Sequence, residues 1–364
     1  MDTLYLAAIC ATVPGLGRSR IPELIKALGS ARAVFEAEAA TLTATGLCTP
    51  KAVHNFLANR DARMPQKIDY FCRHYGVELL AYTDASYPQS LQNLSDKPLV
   101  LYIKGKLPEA PYALAIVGSR RCTEYGVRAA AYFAQAMTRE GIPIISGGAK
   151  GIDTAAHEAC LQAGGTTVAV LGCGLDIAYP PENARLFARI AERGALVSEY
   201  PPGVPPIAAN FPARNRIISG LCRGTLVVEA DEKSGAMITA RRALTQGRDI
   251  FALPGNVGEQ NSRGTNALIR NGAQVAVSGA DVVKPYLPLF SAGLIERIPC
   301  EAHRTVWQSA SDAQNAEDAD TSARRSRTSD TSDDGDRPKK PRPAGRRKTE
   351  RSAVTDADER PAVK

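Results

Sequence analysis

Residues 141–160 read GIPIISGGAKGIDTAAHEAC. A short apolar run at 141–145 leads into Ser146-Gly147-Gly148-Ala149-Lys150-Gly151, and an alanine-rich stretch follows. Strand, glycine turn and helix in that order form half of a parallel β–α–β unit. Such a turn presents N–H groups and the positive end of a helix dipole, so the segment reads as an anion cradle. Lys150 adds a point charge to it. The anion is either a nucleotide phosphate or the backbone of a nucleic acid.

The spacing excludes two phosphate loops. A Walker A loop needs Ser or Thr after its lysine, and here Gly151-Ile152-Asp153 follows Lys150. A GxGxxG turn does not fit glycines at 147, 148 and 151. Asp153 reads as a helix cap and His157, one turn later, as a packing residue.

The same alternation extends outward. Strands are expected at 114–118, 142–146, 167–172, 196–199, 225–230, 249–253 and 274–277. Helices are expected between them, at 125–139, 153–163, 182–192 and 235–246. Most of the strand runs are continuously apolar, as in strands buried on both faces. The class is therefore α/β, with a mostly parallel sheet flanked by helices. In such sheets ligands bind beyond the carboxyl ends of the strands, where the strand order reverses.

The loops at those ends are informative. In Gly118-Ser119-Arg120-Arg121, glycine allows close backbone approach, serine offers a hydroxyl and Arg120 a planar fork for phosphate oxygens. In Asn210–Ile218, Arg214 and Arg216 flank Asn215 at the head of a helix whose Ile217, Ile218 and Leu221 would pack inward. The opposite face could then offer guanidinium groups to phosphates. Convergence of Arg120, Lys150, Arg214 and Arg216 would make a basic groove. No catalytic set emerges. Cys173 has no partner base nearby in sequence and reads as a packed residue. Glu229 and Asp231 would point oppositely on a continuing strand.

Composition agrees with an anionic partner. The chain has 364 residues, 44% hydrophobic and 23% charged, with a net charge of +7. Residues 290–364 hold 15 basic and 14 acidic side chains, leaving 30 against 24 in the rest, so the folded body is itself basic. No uncharged apolar run is long enough to span a membrane, and the start MDTLYLAAICATVPG lacks the basic end of a signal peptide. A cytoplasmic protein with no membrane span is expected. The 8 cysteines show no CxxC or His/Cys ligand spacing, so reduced thiols are expected, with no metal and no cofactor.

Several long segments together resemble the DprA/Smf DNA-processing protein family. They are GSRRCTEYG at 118–126, SGGAKGIDTAAH at 146–157, LGCGLDIAYPPEN at 171–183, SEYPPG at 198–203 and FPARNRIISGL at 211–221. VVEADEKSGAMITARRALTQGRDIFALPG at 227–255 and GTNALIRNGA at 264–273 also match, and YPQSLQNLSDKPLVLYIKG at 87–105 is similar to the family's entry into its core. The resemblance implies an extended Rossmann-like core that binds single-stranded DNA. It implies protection of incoming strands in natural transformation, loading of the RecA recombinase, and a homodimer. It places a strand-binding arginine at Arg120 and a second basic contact at Lys150, where the family usually has arginine. The expected DNA-binding set is Gly118, Ser119, Arg120, Ser146, Gly147, Gly148, Lys150, Gly151, Arg214, Asn215 and Arg216.

Four parts are expected along the chain. Residues 1–60 form a small helical domain of SAM or helix–hairpin–helix type, in which Val13-Pro14-Gly15-Leu16-Gly17 joins two helices and 44–47 echoes it. Residues 61–110 connect, and 111–286 form the Rossmann-like core. Residues 287–364, rich in Ser, Asp, Arg and Pro, are expected to be disordered, because they have too few apolar side chains to offset chain entropy. No winged helix is recognised there, and RPKKPRPAGRRK could touch nucleic acid nonspecifically. The rival reading is a nucleotide phosphoribohydrolase. Its PGGxGT signature is replaced here by Pro254-Gly255-Asn256-Val257-Gly258.

Overall fold

The structure, a computed structural model, describes residues 1–13, 15–108 and 112–288. Six helices come first: α1 (Asp2–Ala11), α2 (Ile21–Leu28), α3 (Ala31–Glu36), α4 (Ala39–Ala44), α5 (Pro50–Asn59) and α6 (Met64–Tyr75). An edge pair follows, β1 (Val77–Ala81) and β2 (Val100–Gly105), with the short α7 (Gln89–Gln92) between them.

Strand and helix then alternate. The order is β3 (Leu114–Val117), α8 (Glu124–Arg139), β4 (Ile144–Ser146), α9 (Ile152–Gln162), β5 (Thr167–Leu171), α10 (Ala184–Arg193) and β6 (Ala195–Ser198). The second half holds α11 (Asn210–Gly220), β7 (Gly224–Val227), α12 (Gly235–Thr245), β8 (Asp249–Ala252), α13 (Gln260–Arg270), β9 (Gln274–Val275) and α14 (Gly279–Val283).

One nine-stranded sheet runs β1-β2-β6-β5-β4-β3-β7-β8-β9. From β6 to β9 every pairing is parallel, with Ala115 opposite Ile145 on one side and Thr225 on the other. All seven strands expected from the sequence are present, and the winding reverses between β3 and β7. The segment read as a connection supplies two further strands. β2 lies antiparallel to β6, with Tyr102 opposite Ser198, and β1 lies antiparallel to β2.

Alternation along each strand sorts side chains between two cores. Val117, Val170, Val227 and Ala252 pack with Ile217, Ile218, Met237 and Ala240 of α11 and α12. Leu114, Ile116, Leu226 and Phe251 pack with Phe133, Met137 and Ala156 of α8 and α9 on the opposite face. The helical domain has its own core of Leu24, Val34, Phe35, Leu42 and Phe56. Phe71 of α6 and Val77, Val100 and Tyr102 of the edge strands join that core, so the domain sits on the β1–β2 edge.

One buried ion pair fixes that contact. Glu199, next after β6, is held by Nη2 of Arg216 at 2.8 and 2.9 Å, and Nη1 of Arg18 donates to the same carboxylate at 2.7 Å. Glu199 and Arg216 each keep only 4% of their side-chain surface in solvent, whereas Arg18 is half exposed. The disordered tail expected at 287–364 lies outside the described residues from 289 onward.

Candidate functional site

A groove of about 1340 Å³ opens beyond the carboxyl ends of β3 and β7, where the winding reverses. Gly118, Ser119, Arg120 and Arg121 form one lip, Phe211 and Arg214 of α11 the floor beside it, and Asn256, Gln260 and Asn261 the far wall. Arg120 and Arg121 are exposed.

The sequence allows little freedom at the first turn. A Cβ on Gly118 would stand 2.5 Å from Ile152 Cγ1 and 3.0 Å from the Glu229 carbonyl oxygen. Ser119 N donates to that carbonyl at 2.7 Å, and Ser119 Oγ accepts from Arg121 N at 3.1 Å. Gly151 has φ +81°, and a Cβ there would meet the Ser119 carbonyl at 2.4 Å. The two glycine loops therefore touch, and only glycine permits the contact.

Arg120 reaches across to α11. Its guanidinium carbon lies 5.3 Å from the centroid of Phe211, and that of Arg214 lies 5.8 Å from the same ring. Tyr179, 39% exposed, is tilted against Phe211 with centroids 5.5 Å apart. A cation at aromatic-contact distance holds its charge without neutralising it, so Arg120 stays available to an anion.

The loop of the opening stretch behaves differently from expectation. Ser146 is fully buried and donates its hydroxyl to the Ile116 carbonyl at 2.6 Å. The N–H groups of Gly147 and Ala149 are not free for an outside anion. They donate to Asp153 Oδ2 at 3.1 and 3.3 Å, so a carboxylate of the protein already fills that cradle. Burial pushes the Asp153 carboxyl up, while Arg214 and the two N–H groups pull it down. Lys150 is exposed near the rim and pairs with Glu182 at 2.5 Å, which holds the Glu182 carboxyl below its usual range.

The α11 arginines also correct the sequence reading, because neither stands on an outward face. Arg214 is buried, and its Nη1 donates to the carbonyls of Gly147, at 2.7 Å, and Val170. Burial, together with the nearby Arg120 charge, lowers its pKa to about 10 against the pull of Asp153. Arg216 is consumed by Glu199. Asn215 accepts from Arg214 Nε at 3.2 Å and donates to the Gly235 carbonyl at 3.2 Å. These residues brace the groove from beneath, because the helix head meets the ends of β4 and β5.

Glu229 is likewise structural. Its carboxylate accepts from Thr123 N at 2.9 Å and Thr123 Oγ1 at 2.5 Å, and Thr123 caps α8 by accepting from Gly126 N at 3.1 Å. His157 is buried against Thr167 Oγ1 at 2.7 Å, and burial lowers its pKa to about 3. Cys173 is buried, and burial raises its thiol to about 11. No group of three or more His, Cys, Asp or Glu placed to hold a metal occurs among the described residues. No helix among them is long and apolar enough to cross a membrane.

The sequence reading missed the aromatic part of the site. Phe211 lies in a loop read for its arginines, and Tyr179 in a segment noted for its resemblance to the family. An aromatic beside strand-end arginines was the available signal, since stacking platforms accompany cations in strand-binding grooves.

A doubly wound parallel sheet with its groove at the switch point defines a Rossmann-like protein. The chain belongs to the DprA/Smf family of DNA-processing proteins. The sequence model of that family, described as DNA recombination-mediator protein A, matches residues 78–286. The chain is 46% identical over 204 residues to DNA processing protein DprA of Streptococcus pneumoniae, covering 56% of this chain and 72% of that protein. It is 47% identical over 200 residues to protein Smf of Escherichia coli, covering 54% of each. The X-ray structure of DprA from S. pneumoniae superposes with TM-score 0.66 at 35% identity, over 78% of this chain and 97% of that one. DprA from Helicobacter pylori, whose structure is described as giving its single-stranded DNA binding mode, superposes with TM-score 0.54 at 33% identity, over 59% and 97%.

Proposed function

We propose that the chain is a non-enzymatic binding protein for single-stranded DNA, with the β3/β7 groove as its binding site. The observation that carries this reading is the exposed Arg120 guanidinium beside Phe211 and Tyr179, a cation and a stacking platform side by side. In this reading a phosphate sits on Gly118, Ser119 and Arg120, and bases stack on the two rings. Lys150 takes a neighbouring phosphate after leaving Glu182, and Arg214 holds the floor. Stacking tolerates any base, so binding has little sequence preference. The strand-binding mode ascribed to the H. pylori relative supports the same assignment.

In the cell we read this as protection of incoming strands and loading of RecA during natural transformation, by a homodimer in the cytoplasm. The division into a helical domain at 1–60, a connection at 61–110, a core at 111–286 and a tail from 287 belongs to the same proposal. The phosphoribohydrolase reading is disfavoured by Glu229, whose two oxygens are engaged by Thr123.

A salt series with single- and double-stranded oligonucleotides of equal length tests the function. Preference for the single strand, with affinity falling steeply as salt rises, is expected from counterion release. Equal binding to both would contradict the proposal.

A further inference from the structure

A second cavity adjoins the groove. It is a cleft of about 290 Å³ between the first half of α8 and the chain just beyond β8 and β9. Tyr125, Ala129 and Tyr132 line it from α8, where spacings of four and three residues put them on one helix face. Leu253 and Val277 line the opposite side, and the buried Phe133 also borders it. Tyr132 is fixed, because its ring meets Phe133 edge-on with centroids 5.2 Å apart and its hydroxyl accepts from Gly279 N at 3.2 Å. Tyr125 is 51% exposed and makes no ring contact among the described residues.

The lining sets the chemistry of the occupant. No charged side chain among the described residues lines the cleft. Its volume is that of the smallest ligand pockets, roughly 300 Å³. Such walls suit the flat apolar face of one ring system, and not a phosphate or a folded dinucleotide.

Continuity with the groove identifies the ring. Tyr125 and Pro254 border both cavities, so the groove runs into the cleft around Tyr125. β9 is two strands from β7, or roughly 10 Å. About three nucleotides cover that span at 3.4 Å apiece along a strand. Cations flank the same turn. Arg121, on the lip of the groove, is exposed and has no ion-pair partner among the described residues. Arg128, one turn after Tyr125, is half exposed and 3.9 Å from Glu124, at the outer limit of an ion pair. Cations interleaved with an unpartnered ring are what tracks a single strand, with phosphates on the charges and bases on the ring.

We propose that the cleft takes one base of a single strand leaving the groove, stacked on Tyr125, with Arg121 and Arg128 on the adjoining phosphates. The inference rests on the groove reading and extends it. It gives the strand a path, from Phe211 past Arg121 towards β9.

The test uses the full chain and oligodeoxynucleotides in which iodouracil replaces thymine, a base that ultraviolet light crosslinks to a ring stacked on it. Peptide mapping should find crosslinks at Tyr125 as well as at Phe211 or Tyr179. Crosslinks at Phe211 or Tyr179 without Tyr125 would overturn the cleft and leave the groove standing. No crosslink at any of the three would overturn both. A second arm is Val277→Glu, which puts a charge into the cleft from an exposed position that does not line the groove. It should weaken single-strand binding about fivefold or more, the worth of one stacked base. Thermal melting within a few degrees of the parent shows that the fold is kept. Parental affinity in Val277→Glu would overturn the proposal, and a changed sedimentation coefficient alongside it would assign the cleft to a contact between copies of the chain.

Discussion

Arg120 holds its guanidinium 5.3 Å from the centre of the Phe211 ring, joining the turn after β3 to the head of α11. The two residues are distant in sequence: Arg120 follows β3, and Phe211 heads the helix whose N-terminal end meets β4 and β5. Their contact turns a pair of strand-end loops into one groove. Phe211→Ala should weaken single-strand binding by about 1–3 kcal/mol, the usual worth of one base stacked on an aromatic ring. Phe211→Leu should restore packing but not affinity. Fluorescence anisotropy with a short oligonucleotide checks both, and wild-type affinity in Phe211→Leu would rule out stacking.

Lys150 is tied to Glu182. Releasing it should favour a phosphate. Glu182→Gln is therefore expected to bind single strands more tightly than the parent at low salt, with the gain shrinking as salt screens it. Lys150→Arg should bind at least as well as the parent, because arginine adds a fork to the same charge. A clear loss in Lys150→Arg would show that this loop does not face DNA.

The buried pair of Glu199 and Arg216 should dominate the stability of the junction between the helical domain and the core. Glu199→Ala leaves Arg216 charged and buried, and is expected to cost about 3–5 kcal/mol. Arg18→Ala removes a half-exposed partner of the same carboxylate and should cost no more than about 1 kcal/mol. Urea unfolding of the two variants distinguishes them, and equal losses would contradict the ranking.

Glu229 anchors the start of α8 through Thr123. Glu229→Gln should lower stability by about 1–2 kcal/mol, the cost of weakening a cap and a charged hydrogen bond. Neither parent nor variant should release free base from a nucleoside monophosphate. Release by the parent that Glu229→Gln abolishes would establish the enzymatic reading.

His157 sets a pH dependence. Its pKa falls from 6.5 to about 3 on folding, chiefly through burial. The unfolded chain thus binds one proton more than the native protein between those values, and this residue's contribution to stability falls as pH drops from 6.5 towards 3. His157→Gln should flatten the slope of stability against pH by roughly one proton in that window. An unchanged slope would mean that the ring titrates normally in the folded state.

Much of the fold could be read from the sequence. Runs such as 167–172 are apolar throughout, and a strand buried on both faces leaves that pattern. The strands β1 and β2 were less visible. β1 is interrupted by the exposed Glu78 and β2 runs into Lys104 and Gly105, so neither is an unbroken apolar run. At the site, glycine and charge at 118–121 were legible because a turn needs the first and phosphate the second. The fate of Arg214 and Arg216 was not. A guanidinium at a helix head looks the same in sequence whether it faces solvent or a buried carboxylate 17 residues earlier. Likewise the N–H groups of Gly147 and Ala149 look free until the fold returns Asp153 to them.

The central claim, that the β3/β7 groove holds the backbone of a single strand, is tested most directly by Arg120→Ala across a salt series with several unrelated oligonucleotides. Affinity should fall for every sequence by a similar factor, and the slope of log affinity against log salt should shrink by about 0.7, one single-strand phosphate contact. Binding indistinguishable from the parent at every salt concentration would contradict it.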